Sequence, residues 1–141
     1  MPDYILGIDF GEKRIGLAVG QTLSRQAQAL TTLHNDGGFW QQLAAVIDEW
    51  QVSQLVFGLP LGVDGEEQEI TRRVRNFANK AGRQTGLQVH FIDERYSSFA
   101  AERAFQQDRA AGLKKAKQKH QLDAMAAQII LQSWFDQGES V

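Results

Sequence analysis

The length, charge and residue usage of the chain exclude several classes of protein. Its 141 residues suffice for a hydrophobic core, and we expect one domain over residues 1–141. The absence of cysteine excludes disulfides, zinc–thiolate sites and thiol nucleophiles. The formal net charge is -2, so there is no general positive field for nucleic acid, and a polyanion would have to be held by a local patch.

Two features of the sequence favour a soluble, cytoplasmic protein with no membrane partner. No apolar run approaches the ~18 residues that a membrane-spanning helix needs. The start Met1-Pro2-Asp3 lacks the basic and then apolar pattern of a signal peptide.

A β-hairpin is predicted over residues 4–20, and its first strand carries one carboxylate in otherwise apolar sequence. Alternation along this strand puts Ile5, Gly7, Asp9 and Gly11 on one face, and Leu6, Ile8 and Phe10 on the other. Glycine inside a strand often marks the close approach of a ligand or another backbone, so we expect the two glycines to clear a hollow around Asp9. Alternatively, Asp9 begins the turn and Gly11 supplies its geometry.

Hydrophobic periodicity predicts the remaining elements. A third strand is expected at residues 25–33, where Ala27, Ala29, Thr31 and Leu33 alternate. A helix at 39–50, a buried strand at 54–60, a helix through 70–81 and a fifth strand at 87–92 follow in order. Two more helices are expected, one capped by Ser97 or Ser98 and one from about His120 to Phe135.

The order of the elements predicts an α/β fold with a five-stranded mixed sheet and helices on both faces. Three consecutive strands favour an antiparallel meander, and the later strand–helix–strand units require parallel neighbours with right-handed crossovers. In such sheets, chemistry gathers beyond the carboxyl ends of the parallel strands. The first strand ends at Asp9, and the fifth is followed by Asp93 and Glu94.

A third acidic position lies at the predicted start of the last helix. Asp123 shares the apolar face of that helix with Ala126, Ala127 and Ile130. An ionised carboxylate in such a place must be paired or must hold a metal. Alternatively, Asp123 caps the helix or pairs with Arg95.

Carboxylates at these three places suit divalent cations better than proton chemistry. Hard oxygen ligands select Mg²⁺ or Mn²⁺, which take their remaining ligands from water and substrate phosphate. Two such ions about 3.5–4 Å apart can position a hydroxide and stabilise the leaving oxygen of a phosphodiester. The residues therefore favour a phosphodiesterase.

Four blocks of this sequence, in this order, resemble the signature motifs of the YqgF/RuvX family. They are Asp9-Phe10-Gly11-Glu12-Lys13-Arg14-Ile15-Gly16-Leu17-Ala18, Gly58-Leu59-Pro60-Leu61 with Asp64-Gly65, Asp93-Glu94-Arg95, and Asp123-Ala124-Met125-Ala126-Ala127. The resemblance covers nearly the whole chain. It implies an RNase H-like fold and a metal-dependent nuclease that matures the 5′ end of pre-16S rRNA. An alternative implication is a Holliday-junction resolvase that acts on DNA, by similarity to RuvC.

The resemblance also implies the roles of individual residues. Asp9, Glu94 and Asp123 correspond to the catalytic carboxylates, which would bind two ions of Mg²⁺ or Mn²⁺. RuvC-like resolvases carry a glutamate in the strand that corresponds to Val56-Phe57-Gly58, and this chain has none there. That difference leaves the second ligand and the specificity for junctions open.

Basic residues beside these carboxylates are the predicted contacts to nucleic acid. They are Lys13, Arg14, Arg95, Lys114, Lys115, Lys117 and Lys119. Such residues would hold the phosphates of pre-rRNA, alone or in ribosomal particles, without reading sequence. The alternative for the lysine-rich stretch is a solvated, flexible loop.

One histidine belongs to the same region. His120 lies three residues before Asp123 and so shares its helical face. Some RuvC-like resolvases place a histidine at this spacing, which suggests that His120 ligates a metal or orients the attacking water. Imidazole suits Mn²⁺ better than Mg²⁺. Alternatively, His120 lies in solvent among the lysines.

Two other functions compete with the nuclease. The Asp9-x-Gly11 pattern also resembles the phosphate loop of the actin and sugar-kinase superfamily, which would make the chain a nucleotide-binding module. Those proteins enclose a nucleotide between two domains, whereas this chain has room for one. A catalytically weak protein that only binds nucleic acid is the second competitor, and the three acidic residues argue against it.

Overall fold

The computed structural model describes the backbone of residues 3–93 and 115–138, and the side chains of these ranges except 115–120 and 138. The strands are β1 (Tyr4–Asp9), β2 (Arg14–Gln21), β3 (Ala27–His34), β4 (Val52–Leu59) and β5 (Gln88–Asp93). The helices are α1 (Phe39–Trp50), α2 (Glu69–Thr85) and α3 (Lys115–Gly138). The helix predicted after Ser97 and Ser98 lies outside the described residues.

The five strands form one mixed sheet in the order β3-β2-β1-β4-β5. β1 pairs antiparallel with β2, and β2 pairs antiparallel with β3, which gives the predicted meander. β4 pairs parallel with β1 on one side and with β5 on the other. The carboxyl ends of β1, β4 and β5 therefore meet at one edge of the sheet, as the order of elements predicts.

Helices cover both faces of this sheet, which confirms the predicted architecture. α1 and α2 pack on the face that carries Leu6, Ile8 and Phe57. α3 packs on the opposite face, against Ile5 and Val56. The alternation expected along β1 is therefore correct, and Asp9 shares the face covered by α3. No helix in the described ranges is long and apolar enough to cross a membrane.

The start of the last helix and the side-chain alternation expected along the third strand are both wrong. The last helix begins at Lys115 rather than near His120, so Asp123 lies inside the helix and cannot cap it. The pairing of β2 with β3 shifts between Leu17 and Ala18 and leaves one extra residue on β3. Such a bulge interrupts the alternation of side chains along a strand. Ala27 consequently packs with the α3 face, while Leu33 packs with the α1–α2 face.

Glycines on β1 and β2 allow α3 to approach the sheet at backbone distance. A Cβ on Gly16 would lie 1.9 Å from the carbonyl oxygen of Asp123. A Cβ on Gly7 would lie 2.7 Å from the Cβ of Leu131 and 2.9 Å from the carbonyl oxygen of Ala127. Because atoms cannot come so close, either position must remain glycine for α3 to stay where it is.

We expect Gly16→Ala to destabilise the protein and to displace α3 at Asp123. Forcing a methyl group into a packed region typically costs about 1–3 kcal/mol and can cost more. Gly37→Ala is the matched control, because no atom lies within 4 Å of a Cβ on Gly37. Urea unfolding of both variants gives the comparison, and equal free energies of unfolding would contradict this account of the helix contact.

A second expectation concerns His90 on β5, whose Nε2 lies 2.5 Å from Oε1 of Gln54 and whose ring lies 5.1 Å from that of Trp134. Burial lowers the pKa of His90 below its ordinary value of 6.5. As the pH falls below that value, the unfolded chain takes up the proton before the folded protein does. The free energy of unfolding should therefore decrease as the pH falls from 6.5 towards the folded-state pKa.

Urea unfolding at several pH values tests this effect. His90→Gln should flatten the decrease below pH 6.5, because glutamine does not titrate. His34→Gln, at the end of β3, should keep the wild-type decrease because it leaves His90 in place. If His90→Gln and the wild type respond equally to pH, His90 is not the source of the effect.

Candidate active site

Asp9 and the backbone of Asp123 both lie at Gly16, on the α3 face of the sheet. Asp9 is the last residue of β1, and it pairs directly with Gly16 of β2. Opposed residues of an antiparallel pair have Cβ positions about 4.5–5.5 Å apart on the same face. The backbone of Asp123 rests on the same Gly16, so α3 brings this residue to the carboxyl end of β1. The structure thus places the backbones of two of the three predicted acidic residues at one position of the sheet.

The expected hollow around Asp9 is wrong. The space above Gly7 is filled by α3, as its close approach to Leu131 and Ala127 shows. A Cβ on Gly11 would lie 2.3 Å from the carbonyl oxygen of Arg14, so this glycine serves the tight turn of the hairpin. Both glycines therefore accept another backbone rather than a ligand.

Arg14 forms an ion pair with Asp123. Its Nε donates to Oδ2 of Asp123 at 2.8 Å, and the two side chains are 27% and 23% exposed. Arg14 lies two residues before Gly16 and so shares the face covered by α3. The expectation that the carboxylate must be paired is met by this residue. The alternative partner, Arg95, lies outside the described residues.

The turn between β1 and β2 is held from two directions. The backbone N–H of Asn35 donates to the carbonyl oxygen of Lys13, and its Nδ2 donates to that of Gly11, both at 2.9 Å. Glu12 in the same turn is paired with Arg73 of α2. Lys13 itself is exposed. The turn therefore presents Lys13 and Arg14 from a backbone that is fixed on both sides.

The end of β5 places Asp93 relative to the other acidic residues. Ile92 packs with the α3 face, whereas Phe91 packs with the α1–α2 face. Asp93, at the end of the strand, alternates to the same side as Phe91 and so lies on the face opposite Asp9. Glu94 lies outside the described residues.

The remaining predicted contacts belong to α3 or to the chain before it. The backbone of Lys115, Lys117, Lys119 and His120 is helical, so the flexible-loop alternative is wrong for these residues. Their side chains, and the whole of Lys114, lie outside the described residues. Their roles stay predictions.

β4 contributes no carboxylate to the α3 face. Its residues on that face are Gln54, Val56 and Gly58, and Gly58 pairs with Ile92 of β5. The position between Asp9 and β5 is thus held by a residue without a side chain. This agrees with the absence of a glutamate from the strand.

Sequence reasoning missed the anchor of the loop between β4 and α2. Thr71, which is fully buried, donates through Oγ1 to the carbonyl oxygen of Pro60 and accepts from the backbone N–H of Gln68. Arg75 holds the same loop through Glu67, with Nε 2.7 Å from Oε1. A threonine three residues after Gln68 at a helix start is a capping pattern, and it was the available signal.

The described residues do not form a complete metal site. Within residues 3–93 and 121–137, no three His, Cys, Asp or Glu side chains are grouped so that they could hold a metal ion. The carboxylates of Asp9 and Asp123, whose backbones both lie at Gly16, have the oxygen donors that Mg²⁺ and Mn²⁺ prefer. The chemistry of these donors fits such an ion if a further carboxylate joins them.

Three proteins of similar sequence carry the same name. The chain is 46% identical over 136 residues to a protein of Chromobacterium violaceum, covering 94% of this chain and 96% of that protein. It is 41% identical to a protein of Haemophilus ducreyi, covering 96% and 98%, and 45% identical to one of Yersinia pestis, covering 94% of each. All three are named "Putative pre-16S rRNA nuclease".

Solved structures show the same fold. RuvC of Thermus thermophilus, in a complex with a Holliday junction substrate, matches with a TM-score of 0.57 and 19% identity, covering 94% of this chain and 93% of that one. A second structure of that RuvC gives a TM-score of 0.55 and 16% identity. The fold is therefore RNase H-like, as the resemblance implied. The family model of RuvX, described as a Holliday junction resolvase, matches residues 3–137, and the chain belongs to this family.

Proposed function

We propose that the protein is a nuclease that uses divalent metal ions and acts on the 5′ end of pre-16S rRNA. The observation that carries the proposal is the meeting of Asp9 and Asp123 over Gly16, at the carboxyl end of β1. The names of relatives at 41% to 46% identity support a nuclease and suggest this substrate. The reaction is then part of ribosome biogenesis, and its substrate is pre-rRNA, free or in a ribosomal particle.

Three carboxylates would hold the metal in this proposal. Asp9 and the backbone of Asp123 both lie at Gly16, and Glu94 is the candidate third ligand because Asp93 lies on the other face of the sheet. His120 is a further candidate from its spacing to Asp123. Bound there, one or two ions of Mg²⁺ or Mn²⁺ would activate water and stabilise the leaving oxygen.

The residues of the chain itself would bind and orient the substrate. Arg14 is paired with Asp123, and Lys13 precedes it in the fixed turn of the hairpin; both would hold phosphates next to the scissile bond. The lysines at the start of α3 would extend this contact along the bound RNA. Arg95 completes the proposed set.

Cleavage of a Holliday junction is the second candidate. It is favoured by the description of the family model and by the likeness of the fold to RuvC. The α3 face of β4 lacks a carboxylate, which weighs against the ligand set of RuvC-like resolvases. We therefore place pre-rRNA first.

Replacing either aspartate should abolish cleavage while the fold remains. We expect Asp9→Asn and Asp123→Asn each to reduce the rate by at least about a hundredfold, the upper range for residues that only orient metal ligands. Asp48→Asn is the control, since Asp48 lies on α1 on the opposite side of the sheet. Rates are measured on a pre-16S rRNA 5′ fragment with Mn²⁺, and full activity in either site variant would contradict the assignment.

The same proteins distinguish the two substrates. The wild type should cleave the rRNA fragment faster than a four-way DNA junction under identical conditions. The reverse preference, with the same loss in both aspartate variants, would leave the site assignment standing and replace the substrate.

Removing the basic start of α3 should weaken binding in a salt-dependent way. For single-stranded RNA, each lost phosphate contact lowers the slope of log affinity against log salt by about 0.7. Replacing Lys114, Lys115, Lys117 and Lys119 by Ala together should therefore flatten the slope, measured by fluorescence anisotropy. Lys80→Ala on α2, whose Nζ lies 5.2 Å from the Trp40 ring centre, should keep it. Equal slopes in all three proteins would show that the lysines do not touch the substrate.

A further inference from the structure

The ion pair of Arg14 with Asp123 involves a residue of the proposed metal site. Nε of Arg14 is 2.8 Å from Oδ2 of Asp123, one of the proposed metal ligands, whose backbone rests on Gly16. A divalent cation bound at Asp123 would compete with the guanidinium for the carboxylate oxygens. It would also repel the guanidinium as a like charge. Metal and Arg14 therefore compete for one carboxylate.

The ion pair between Arg14 and Asp123 is weak enough for Arg14 to leave Asp123 for another anionic partner. Both side chains are about a quarter exposed, at 27% and 23%, and ion pairs in contact with solvent stabilise a protein only slightly. The contact between Nε and Oδ2 uses one of the five N–H donors of arginine. The planar guanidinium matches phosphate as well as carboxylate.

The backbone of Arg14 limits where the released side chain can go. Arg14 starts β2 and pairs with His34 of β3. Its carbonyl oxygen packs against Gly11, and the turn before it is held by Asn35. The backbone therefore stays in place, and a freed guanidinium would remain within a side-chain length of the start of β2, close enough to Asp123 to reach a substrate phosphate bound there.

We propose that Arg14 is a positioning residue that exchanges partners, pairing with Asp123 in the metal-free protein and with a substrate phosphate once metal occupies Asp123. This inference rests on the proposed nuclease function. Metal binding releases Arg14 for the phosphate, and a bound phosphate keeps Arg14 away from Asp123. Each ligand thus raises the affinity for the other by the same factor.

The neighbouring cation provides a matched control. Lys13 carries the same charge, is exposed, and lies in the turn one residue before Arg14. Both Lys13→Gln and Arg14→Gln remove one positive charge from the site. Only Arg14→Gln removes the group that holds Asp123. Effects shared by the two variants report general charge, and effects confined to Arg14→Gln report the exchange.

The first measurement is metal affinity without nucleic acid. Calorimetric titration with Ca²⁺, which takes carboxylate oxygens, gives the dissociation constant of each protein. Arg14→Gln should bind Ca²⁺ about two- to fivefold more tightly than the wild type, because no ion pair has to be broken. Lys13→Gln should gain less. Equal gains in the two variants would overturn the proposal.

The second measurement is the coupling between metal and nucleic acid. The affinity for a short single-stranded RNA, checked as intact on a gel, is compared with and without Ca²⁺. Lys13→Gln should bind the RNA more weakly but keep the wild-type ratio of the two affinities. Arg14→Gln should show a smaller ratio, since Arg14 no longer links the sites. A wild-type ratio in Arg14→Gln would overturn the exchange.

A conservative variant keeps the proposal testable if Arg14→Gln does not fold. Arg14→Lys keeps the charge without the planar group, and we expect a ratio between those of the wild type and Arg14→Gln. If Arg14→Gln does not fold, the ratio in Arg14→Lys decides, and an unchanged ratio counts against the proposal. Failure of the exchange is distinct from failure of the nuclease, which would appear as no metal-dependent cleavage by the wild type.

Discussion

The contact between the backbone of Asp123 and Gly16 is the constraint on which the rest of the site depends. A helix normally stands off a sheet by the length of its side chains, but here a Cβ on Gly16 would be 1.9 Å from the Asp123 carbonyl oxygen. Because Gly16 pairs with Asp9, the same contact that seats the helix also fixes the backbone of Asp123 relative to that of Asp9. The packing of α3 and the geometry of the site therefore depend on the same contacts, which join residues more than 100 positions apart.

The charge of Asp123 is offset within the folded protein. Nε of Arg14 lies 2.8 Å from Oδ2 of Asp123, on the face covered by α3. An ionised carboxylate on a largely apolar face would otherwise disfavour folding. If a divalent metal binds this carboxylate as proposed, it would replace Arg14 as the source of positive charge, and its binding to the folded protein would add stability.

The faces of the sheet could be predicted from sequence, and the contacts across it could not. Alternation along β1 and the order of strands and helices are local patterns, and they gave the face of Asp9 and the mixed sheet. The expected hollow above Gly7 is wrong because the glycine pattern does not tell what approaches, whereas the turn role of Gly11 agrees with the alternative that the sequence offers. The pairing of Arg14 with Asp123 joins residues 109 positions apart, and the bulge in β3 depends on register with β2. Neither the ion pair nor the bulge is indicated by a pattern in the neighbouring sequence.

The early start of α3 changes how the lysines and the aspartate relate. Eight residues of helix precede Asp123, from Lys115 onward, which amounts to about 12 Å at 1.5 Å per residue. In a flexible loop, the lysines would lose conformational freedom on binding and would have no fixed distance from the site. On one continuous helix, the backbone of Lys115, Lys117 and Lys119 keeps a constant distance from Asp123. Since Asp123 is held at Gly16, a phosphate bound at this end would be positioned relative to the carboxylates by the same contact that seats the helix.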